Sequence, residues 1–292
     1  MNGIICINKP QEMTSFVCCA IMRRVFGEKK VGHAGTLDPM ATGVLPILFG
    51  KATRALDFIP VQEKRYTATL QFGLNSDTLD IWGNVTPTGK PYPALTDIEA
   101  VLPQFRGEIM QIPPMVSALK KDGVRLYDLA RQGIEIERPA RPVTIHALEL
   151  LQYDRETGIL ILNCHCSKGT YIRTICDDIG RMLGCGAVMT ALCRTMAAGL
   201  TLEQAVPLPE TPDDAALLTP HILTLDTLFA PYPAVSVSPA QAVRFQNGGA
   251  LDTVRLKRLP QTDAPVRVHA PDGTFLGLGS MTDTQLKVLK LF

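Results

Sequence analysis

The segment Lys64–Leu74 alternates between apolar and polar side chains, and it constrains the fold more than any other stretch. Tyr66, Ala68, Leu70 and Phe72 fall on one side, and polar residues fall on the other. A period of two is that of a β-strand with one buried face. The sequence therefore predicts a strand here that contributes one apolar face to a core.

Further strands and helices are interspersed along the chain. We predict strands at Gly3–Asn8, Val44–Phe49, Val143–Tyr153, Gly158–Ser167 and Ala187–Ala197. We predict helices from Thr14 or Ser15 to Val25, over Lys51–Ile59, from a capping box at Thr96–Glu99 to about Phe105, over Arg125–Gln132 and over Tyr171–Leu183. The polar segment Asn75–Lys90 is predicted as a loop. Because no regular βαβ series occurs, the predicted class is α+β rather than doubly wound.

Length and composition indicate one large domain and one small domain. The chain has 292 residues, of which 46% are hydrophobic and 20% charged, so a sizeable core can form. Prolines and acidic residues become frequent after Val206. Farther on, a Pro-Asp-Gly turn between Val266–His269 and Thr274–Gly279 predicts a hairpin. We therefore expect a large domain at 1–230 and a small β-rich domain at 231–292.

Charge, termini and cysteines narrow the class of protein. The net charge is +1, so any nucleic-acid surface has to be a local basic patch. We find no signal peptide and no apolar run of about 18 residues, and we expect a cytoplasmic protein. None of the eight cysteines forms a Cys-x-x-Cys pair, which favours reduced thiols over disulfides. Cys164 and Cys166 flank a histidine, but their spacing is wrong for zinc, so no metal site is expected.

The segment Val31–Pro46 holds a single carboxylate, Asp38, among three glycines and two prolines. Glycine permits sharp bends and close approach of a ligand, and Pro39 biases Asp38 toward an extended conformation. Asp38 is thus a candidate for a positioned reactive group. Considered alone, an aspartate before a proline is more often a turn residue, and the nearby His33 is more often structural.

Two other segments combine cations with aromatic residues. Lys64–Tyr66 opens the alternating strand, and Lys168–Arg173 follows a predicted strand. Simpler explanations fit these residues as well. Tyr66 could be an ordinary core residue, and Arg173 could form a helical ion pair with Asp177, four residues later.

Taken together, these segments resemble the motifs of the bacterial tRNA pseudouridine synthase B family. The resemblance rests on Gly32–Pro46, Lys64–Tyr66, Gln111–Lys120 and Ser167–Thr174, which occur in the same order and at similar separations, with Lys9-Pro10 near the start. It runs from about residue 3 to about residue 200 and continues more weakly to the C-terminus. A single motif would be suggestive, whereas four in register are highly specific.

The resemblance implies a fold, an activity and partners. The fold is a pseudouridine synthase fold, with a central mixed, largely antiparallel sheet flanked by helices and a small PUA-like RNA-binding domain at the C-terminus. The activity is the isomerisation of a T-loop uridine of tRNA to pseudouridine, by base flipping and without a cofactor or metal. The implied partner is the T-stem loop of tRNA, with no protein partner and no membrane, and the implied state is a monomer.

The resemblance also assigns roles to individual residues. Asp38 is the nucleophile or base, Arg173 is its ion-pair partner, and Tyr66 stacks on the target base and assists removal of its C5 proton. The pocket walls are Tyr171 and Leu192, and His33 fills the space that the flipped uridine leaves in the RNA. We place the following cations along the RNA backbone: Lys9, Lys64, Arg65, Lys120, Lys121, Arg125, Arg131, Arg141 and Lys168.

Two alternative functions stay open. The chain could be a non-catalytic RNA-binding or RNA-folding protein on the same scaffold, or a relative that works on guide RNAs within a larger complex. The intact set of Asp38, Tyr66 and Arg173 argues against the first alternative, and the short C-terminus argues against the second. Cys193 departs from the family pattern, because relatives often carry a basic residue after the equivalent of Leu192.

Overall fold

The computed structural model describes residues 1–117, 119–121, 123–256 and 259–292. The strands in this part of the chain are β1 (Gly3–Lys9), β2 (Val31–His33), β3 (Thr42–Phe49), β4 (Lys64–Phe72), β5 (Leu74–Ser76), β6 (Val85–Pro87), β7 (Gly107–Gln111), β8 (Lys120–Lys121), β9 (Val124–Arg125), β10 (Arg141–Asp154), β11 (Ile159–Cys166), β12 (Ala187–Ala197), β13 (Leu200–Thr201), β14 (Val206–Pro207), β15 (Ala234–Ser236), β16 (Leu251–Asp252), β17 (Val266–His269), β18 (Phe275–Met281) and β19 (Gln285–Leu291).

The α-helices are α1 (Ser15–Phe26), α2 (Leu95–Val101), α3 (Leu126–Ala130), α4 (Ile172–Met182), α5 (Ala215–Leu218), α6 (Leu225–Leu228) and α7 (Pro239–Gln246). Short 3-10 helices occupy Gly50–Phe58, Leu102–Phe105, Leu202–Gln204, Pro212–Asp214, Thr219–His221 and Thr253–Arg255. Among these helices none is long and apolar enough to cross a membrane.

Ten strands form the main sheet, in the order β14-β1-β3-β12-β4-β11-β10-β7, with β2 paired to β3 and β13 to β12. Neighbouring strands are antiparallel except for the β1–β14 and β3–β12 pairs, which are parallel. Helix α1 packs on β1 and β3, and α4 packs on β4, β11 and β12. This arrangement confirms the predicted α+β class and the mixed, largely antiparallel sheet flanked by helices.

Local sequence signals explain the elements nearest to the site. In β4, Tyr66, Ala68, Leu70 and Phe72 are buried, as the alternation predicts. Strands β1 and β3 are buried on both faces, which accounts for their nearly continuous apolar sequence. Helix α1 begins after Thr14, whose side chain accepts a hydrogen bond from the N–H of Val17, and it ends at a left-handed glycine.

The last 60 residues form a separate five-stranded sheet, ordered β15-β17-β18-β19-β16, with its own apolar core beside α7. The predicted hairpin is present as β17–β18. This unit also packs against the chain that precedes it. The ring of Phe229 is fully buried, and its centroid lies 6.0 Å from that of Phe275 and 5.5 Å from that of Phe292.

Two local predictions were wrong. Asn75–Lys90 is not entirely a loop, because β5 and β6 pair through their backbones although their polar side chains show no periodicity. The helix predicted to start with a cap at Thr96 begins earlier, and the carboxylate of Asp97 accepts a hydrogen bond from the Ala94 N–H instead. The short helix predicted at Lys51–Ile59 is present, as a 3-10 helix over Gly50–Phe58.

Replacing Phe229 tests the packing between the C-terminal sheet and the rest of the chain. We expect Phe229→Ala to lower the free energy of unfolding by about 3–5 kcal/mol, since it empties a buried aromatic site. The control is Phe16→Ala, because Phe16 is 70% exposed and surface changes stay within about 0.5 kcal/mol. Urea denaturation followed by circular dichroism measures both, and equal losses would contradict the packing.

Candidate active site

A pocket of about 280 Å³ opens where the loop 34–41 meets the start of β4, β12 and the start of α4. Six of the residues singled out from the sequence line it: Asp38, Lys64, Tyr66, Tyr171, Arg173 and Leu192. They come from four separate parts of the chain. The fold therefore brings the main predicted residues into one concave site.

The backbone of the Asp38 loop is held by a small number of hydrogen bonds. The hydroxyl of Ser15 accepts from the Leu37 N–H at 2.9 Å and donates to the Leu37 carbonyl at 3.2 Å. The Ala41 N–H donates to the Asp38 carbonyl at 3.0 Å, which closes a tight turn. The carboxylate of Asp38 remains 38% exposed and faces the pocket. The loop thus presents Asp38 from an anchored backbone.

Lys9 does not lie where the sequence predicts. Its side chain is fully buried, and Nζ donates to the carbonyls of Pro10, Met13 and Pro39 at 2.7, 2.6 and 3.2 Å. The predicted contact with the RNA backbone is therefore wrong, because no part of the ammonium group reaches the surface. Burial lowers the pKa of Lys9 to about 8. Lys9 instead braces the Asp38 loop through Pro39.

Arg173 is the charge partner of Asp38. It is 3% exposed, and its Nε lies 3.0 Å from Oδ2 of Asp38. Its remaining nitrogens donate to the carbonyls of Thr78 and Val116 at 3.1 and 2.9 Å. The simpler explanation, a helical ion pair with Asp177, does not hold, since Asp177 pairs with Arg181.

Asp80 is a second carboxylate on Arg173, and the sequence did not reveal it. Its Oδ2 lies 3.4 Å from Nη1 of Arg173, and its side chain is 9% exposed. Its Oδ1 accepts hydrogen bonds from the Thr78 hydroxyl and the Trp82 N–H. No sequence signal distinguishes Asp80 from the other residues of its polar segment. Its contact arises only because the fold brings Arg173 of α4 next to it.

Arg194 is the second residue that sequence reasoning missed. It is fully buried on β12, and its guanidinium donates to the carbonyls of Val44, Thr36 and Gly35 at 2.7, 3.3 and 3.0 Å. One signal could have found it: strand alternation puts Arg194 on the same face as Leu192. Cys193 between them is only half-buried.

Tyr66 and Tyr171 flank the pocket in different ways. Tyr66 is buried except for its pocket side, and burial raises the pKa of its phenol to about 12, so the hydroxyl is protonated at neutral pH. Tyr171 is half-buried, and its peptide group is clasped by Gln111, whose side chain accepts from the Tyr171 N–H and donates to its carbonyl. Burial raises the pKa of Tyr171 as well.

The other predicted contact residues divide by position. Lys64 lines the pocket, and burial together with the charge of Arg194 lowers its pKa to about 8. His33 lies outside the pocket lining, on β2, and burial lowers its pKa, so its imidazole is neutral at pH 7. Lys168 is exposed.

The remaining cations are exposed: Arg65, Arg125, Arg131 and Arg141. Arg65 points away from the face of β4 that carries Tyr66. Ala118 of the Gln111–Lys120 motif and the side chains of Lys120 and Lys121 lie outside the described residues.

The sequence matches three adjoining family profiles. "TruB family pseudouridylate synthase (N terminal domain)" matches residues 23–172, "tRNA pseudouridylate synthase B C-terminal domain" matches 173–230, and "Pseudouridine synthase II TruB, C-terminal" matches 233–292. The chain belongs to the TruB family of pseudouridine synthases. It is therefore an enzyme of the isomerase class, and the resemblance deduced from its motifs is confirmed.

TruB relatives align along the whole chain. The tRNA pseudouridine synthase B of Clostridium acetobutylicum is 39% identical, and the alignment covers 100% of this chain and 99% of the relative. The enzyme of the same name from Syntrophomonas wolfei is 41% identical with the same coverage. The enzyme of that name from Pasteurella multocida is 40% identical over 95% of this chain and 91% of its own length.

Solved structures share the fold. A chain in a crystal structure of a Cbf5-Nop10-Gar1 complex superposes with a TM-score of 0.74 at 23% identity, covering 99% of this TruB-family chain and 84% of that chain. A chain in an H/ACA RNP bound to a substrate RNA containing 2'-deoxyuridine gives 0.74 at 22% identity, with the same coverage. These matches confirm the predicted fold, including the PUA-like C-terminal part.

Two arginines on α4 test the importance of the buried charge network. We expect Arg173→Met to lower the free energy of unfolding by about 3–5 kcal/mol, because it leaves Asp80 buried without its cation. Arg181→Met is the matched control: Arg181 also contacts two carboxylates but is 68% exposed, so its loss costs about 1 kcal/mol or less. Chemical denaturation compares them, and similar losses would contradict a buried network.

Proposed function

We propose that this chain isomerises uridine to pseudouridine in the T loop of tRNA, with Asp38 as the reactive carboxylate. One observation carries the proposal: Asp38 faces a pocket, with one oxygen held against the buried Arg173 and the group still 38% exposed. The relatives named tRNA pseudouridine synthase B supply the substrate class. The fold likeness to H/ACA RNP chains supports an RNA-modifying scaffold and says nothing of guide RNA here.

The geometry supports a carboxylate that reacts with a ribose or a uracil ring. Arg173 Nε contacts Oδ2, and within the described residues no hydrogen-bond donor reaches Oδ1 of Asp38. That oxygen is free to approach C1' or C6 of the substrate, or to accept a proton. Isomerisation breaks the N1–C1' bond, joins C5 to C1', releases the C5 proton to solvent and protonates N1. It therefore needs neither a redox partner nor an energy source. Asp38 is required whether the course is a sugar adduct, a ring adduct or a glycal.

The pocket walls suit a flipped base. Tyr66 offers a flat ring for stacking, and Leu192 and Tyr171 line the same pocket. In this proposal the hydroxyl of Tyr66 assists removal of the C5 proton. Base flipping costs a few kcal/mol, which favours a residue that fills the vacated space in the RNA. We assign that role to His33, whose neutral imidazole can stack on neighbouring bases.

Cations around the pocket account for binding of the RNA backbone. Lys64 at the pocket and exposed Lys168 are the two we place on phosphates. Residues 231–292 form the small RNA-binding domain of this proposal, supported by their separate sheet and core, and residues 1–230 form the catalytic domain. We propose that the chain acts in the cytoplasm as a monomer, without a protein partner or cofactor.

Asp38→Asn tests the catalytic assignment. We expect the variant to lose pseudouridine formation on T-arm RNA by at least about 1,000-fold, since the amide can neither attack nor accept a proton, while its affinity for the RNA stays near that of the wild type. Tritium release from C5-labelled uridine measures turnover, and filter binding measures affinity. The control Asp57→Asn alters an exposed carboxylate on the 3-10 helix Gly50–Phe58 and should keep full activity. Substantial turnover by Asp38→Asn would refute the assignment.

A wild-type chain that binds T-arm RNA without turnover would favour a non-catalytic RNA-binding protein. Turnover on naked RNA by the isolated chain would show that no guide RNA or partner is needed. The same assay thus separates the proposal from both alternatives that the sequence left open.

The pKa of Lys64 predicts how RNA affinity depends on pH. Because that pKa is lowered to about 8, Lys64 is charged below pH 8 and loses its proton as the pH rises through that value. Phosphate binds the charged form, so affinity should fall above pH 8, by up to about tenfold per pH unit. Lys64→Arg stays charged throughout and should give a flat profile. Filter binding from pH 7 to pH 10 measures both, and parallel profiles would exclude Lys64 as the cause.

A further inference from the structure

Arg194 is a fully buried cation for which the described part of the chain supplies no acidic partner. Among the described residues, no carboxylate oxygen lies within 4.0 Å of its guanidinium, whereas Arg173 contacts two carboxylates. Its nitrogens are directed at three backbone carbonyls, those of Gly35, Thr36 and Val44. Burying a charge without a counter-ion is costly for stability. This placement therefore needs an explanation beyond packing.

The contacts of Arg194 join the two halves of the pocket. Gly35 and Thr36 belong to the loop that carries Asp38, and Val44 belongs to β3, directly after that loop. On the other side, Arg194 is the direct cross-strand partner of Tyr66 in the β12–β4 pairing. Side chains at such positions on one face have Cβ atoms about 5 Å apart. Arg194 thus touches the Asp38 loop and stands beside Tyr66.

The backbone around Arg194 leaves little freedom. Gly43 lies opposite Arg194 in the parallel β3–β12 pairing. Its φ is +98°, and a Cβ on Gly43 would come within 2.3 Å of the Arg194 carbonyl oxygen. Only glycine permits this approach. The backbone of Arg194 therefore lies in close contact with the end of the Asp38 loop. This contact fixes the Cα of Arg194, and the three hydrogen bonds fix its guanidinium.

The charge of Arg194 also acts on the pocket. Burial raises the pKa of Tyr66, and the positive charge of Arg194 opposes that rise. The same charge helps to lower the pKa of Lys64. A neutral residue of similar length could fill the space. It could neither donate hydrogen bonds to three carbonyls nor change the pKa values of Tyr66 and Lys64 by its charge.

We propose that Arg194 is a positioning residue that holds the carboxylate of Asp38 and the ring of Tyr66 at a fixed separation across the uridine pocket. In this role Arg194 contacts neither the substrate nor the reacting atoms. It acts through the backbone of Gly35 and Thr36 on one side and through its cross-strand contact on the other. The inference rests on the proposed uridine isomerisation.

Single-turnover kinetics separate positioning from simple stabilisation. With saturating enzyme in excess over T-arm RNA, the rate constant reports the geometry of the site. A separate titration under tight-binding conditions gives the stoichiometry of RNA binding, which reports the folded, competent fraction. For Arg194→Met we expect a rate constant about 100-fold lower, as for a displacement of about 1 Å, with the RNA dissociation constant within about threefold of the wild type. Arg194→Lys keeps the charge but has a single side-chain nitrogen. Its rate constant should be about tenfold higher than that of Arg194→Met and about tenfold lower than that of the wild type.

Arg106→Met is the control for the loss of an arginine outside the site. Among the described residues, Arg106 also donates to a backbone carbonyl, that of Leu148, but it is exposed and lies outside the pocket lining. We expect it to keep the wild-type rate constant and nearly the wild-type stability. If Arg194→Met also keeps that rate constant and loses only stability or binding stoichiometry, Arg194 is merely structural and the inference fails.

Two further outcomes remain decisive. If circular dichroism shows that Arg194→Met is unfolded, Arg194→Lys decides: a lowered rate constant with wild-type binding stoichiometry supports positioning, and a wild-type rate constant overturns it. If the wild-type chain itself shows no turnover, the proposed function fails and the inference falls with it. A failure confined to the Arg194 variants leaves the proposed function intact.

Discussion

Three buried cations hold the loop that carries Asp38, and the rest of the site depends on them. Lys9 binds the carbonyl of Pro39, Arg194 binds those of Gly35 and Thr36, and Arg173 contacts the Asp38 carboxylate itself. The loop forms neither helix nor strand, so its backbone carbonyls need donors from elsewhere. Lysine and arginine offer several donors on one side chain and no acceptor. The carboxylate is therefore held in one position in the free protein. In the proposed function, orientation before the substrate binds speeds the reaction.

The sheet explains why these cations meet at one point. Lys9 ends β1, Arg194 lies on β12, and β3 runs between these strands directly after the Asp38 loop. The β3–β12 pairing is one of two parallel pairings in a largely antiparallel sheet, and it sets Gly43 against Arg194. Helix α4 packs on β4, β11 and β12, and its first turn brings Arg173 to the same pocket. The strand order of the sheet therefore also determines which cations reach the pocket.

Much of this could be predicted from the sequence, and the failures have a common cause. The strand β4 and the helix α1 follow from periodicity and capping, which are local signals, and their predictions were correct. The sequence motifs alone were enough to group Asp38, Tyr66 and Arg173 as candidates for one site. The burial of Lys9 and the network roles of Asp80 and Arg194 were missed, because each depends on contacts between residues that are far apart in sequence. The hairpin β5–β6 was missed because its polar side chains carry no period, although its backbone pairs.

A crystal structure of the chain bound to T-arm RNA would test whether the Asp38 loop is preorganised. We expect the Cα atoms of residues 34–41 to shift by less than about 1 Å from the free protein. We also expect Arg173 to stay in contact with Asp38 and the target uracil to lie on the ring of Tyr66. A loop displaced by more than about 2 Å, or an Arg173–Asp38 contact that exists only with RNA bound, would show that the substrate assembles the site and that the loop is not preorganised.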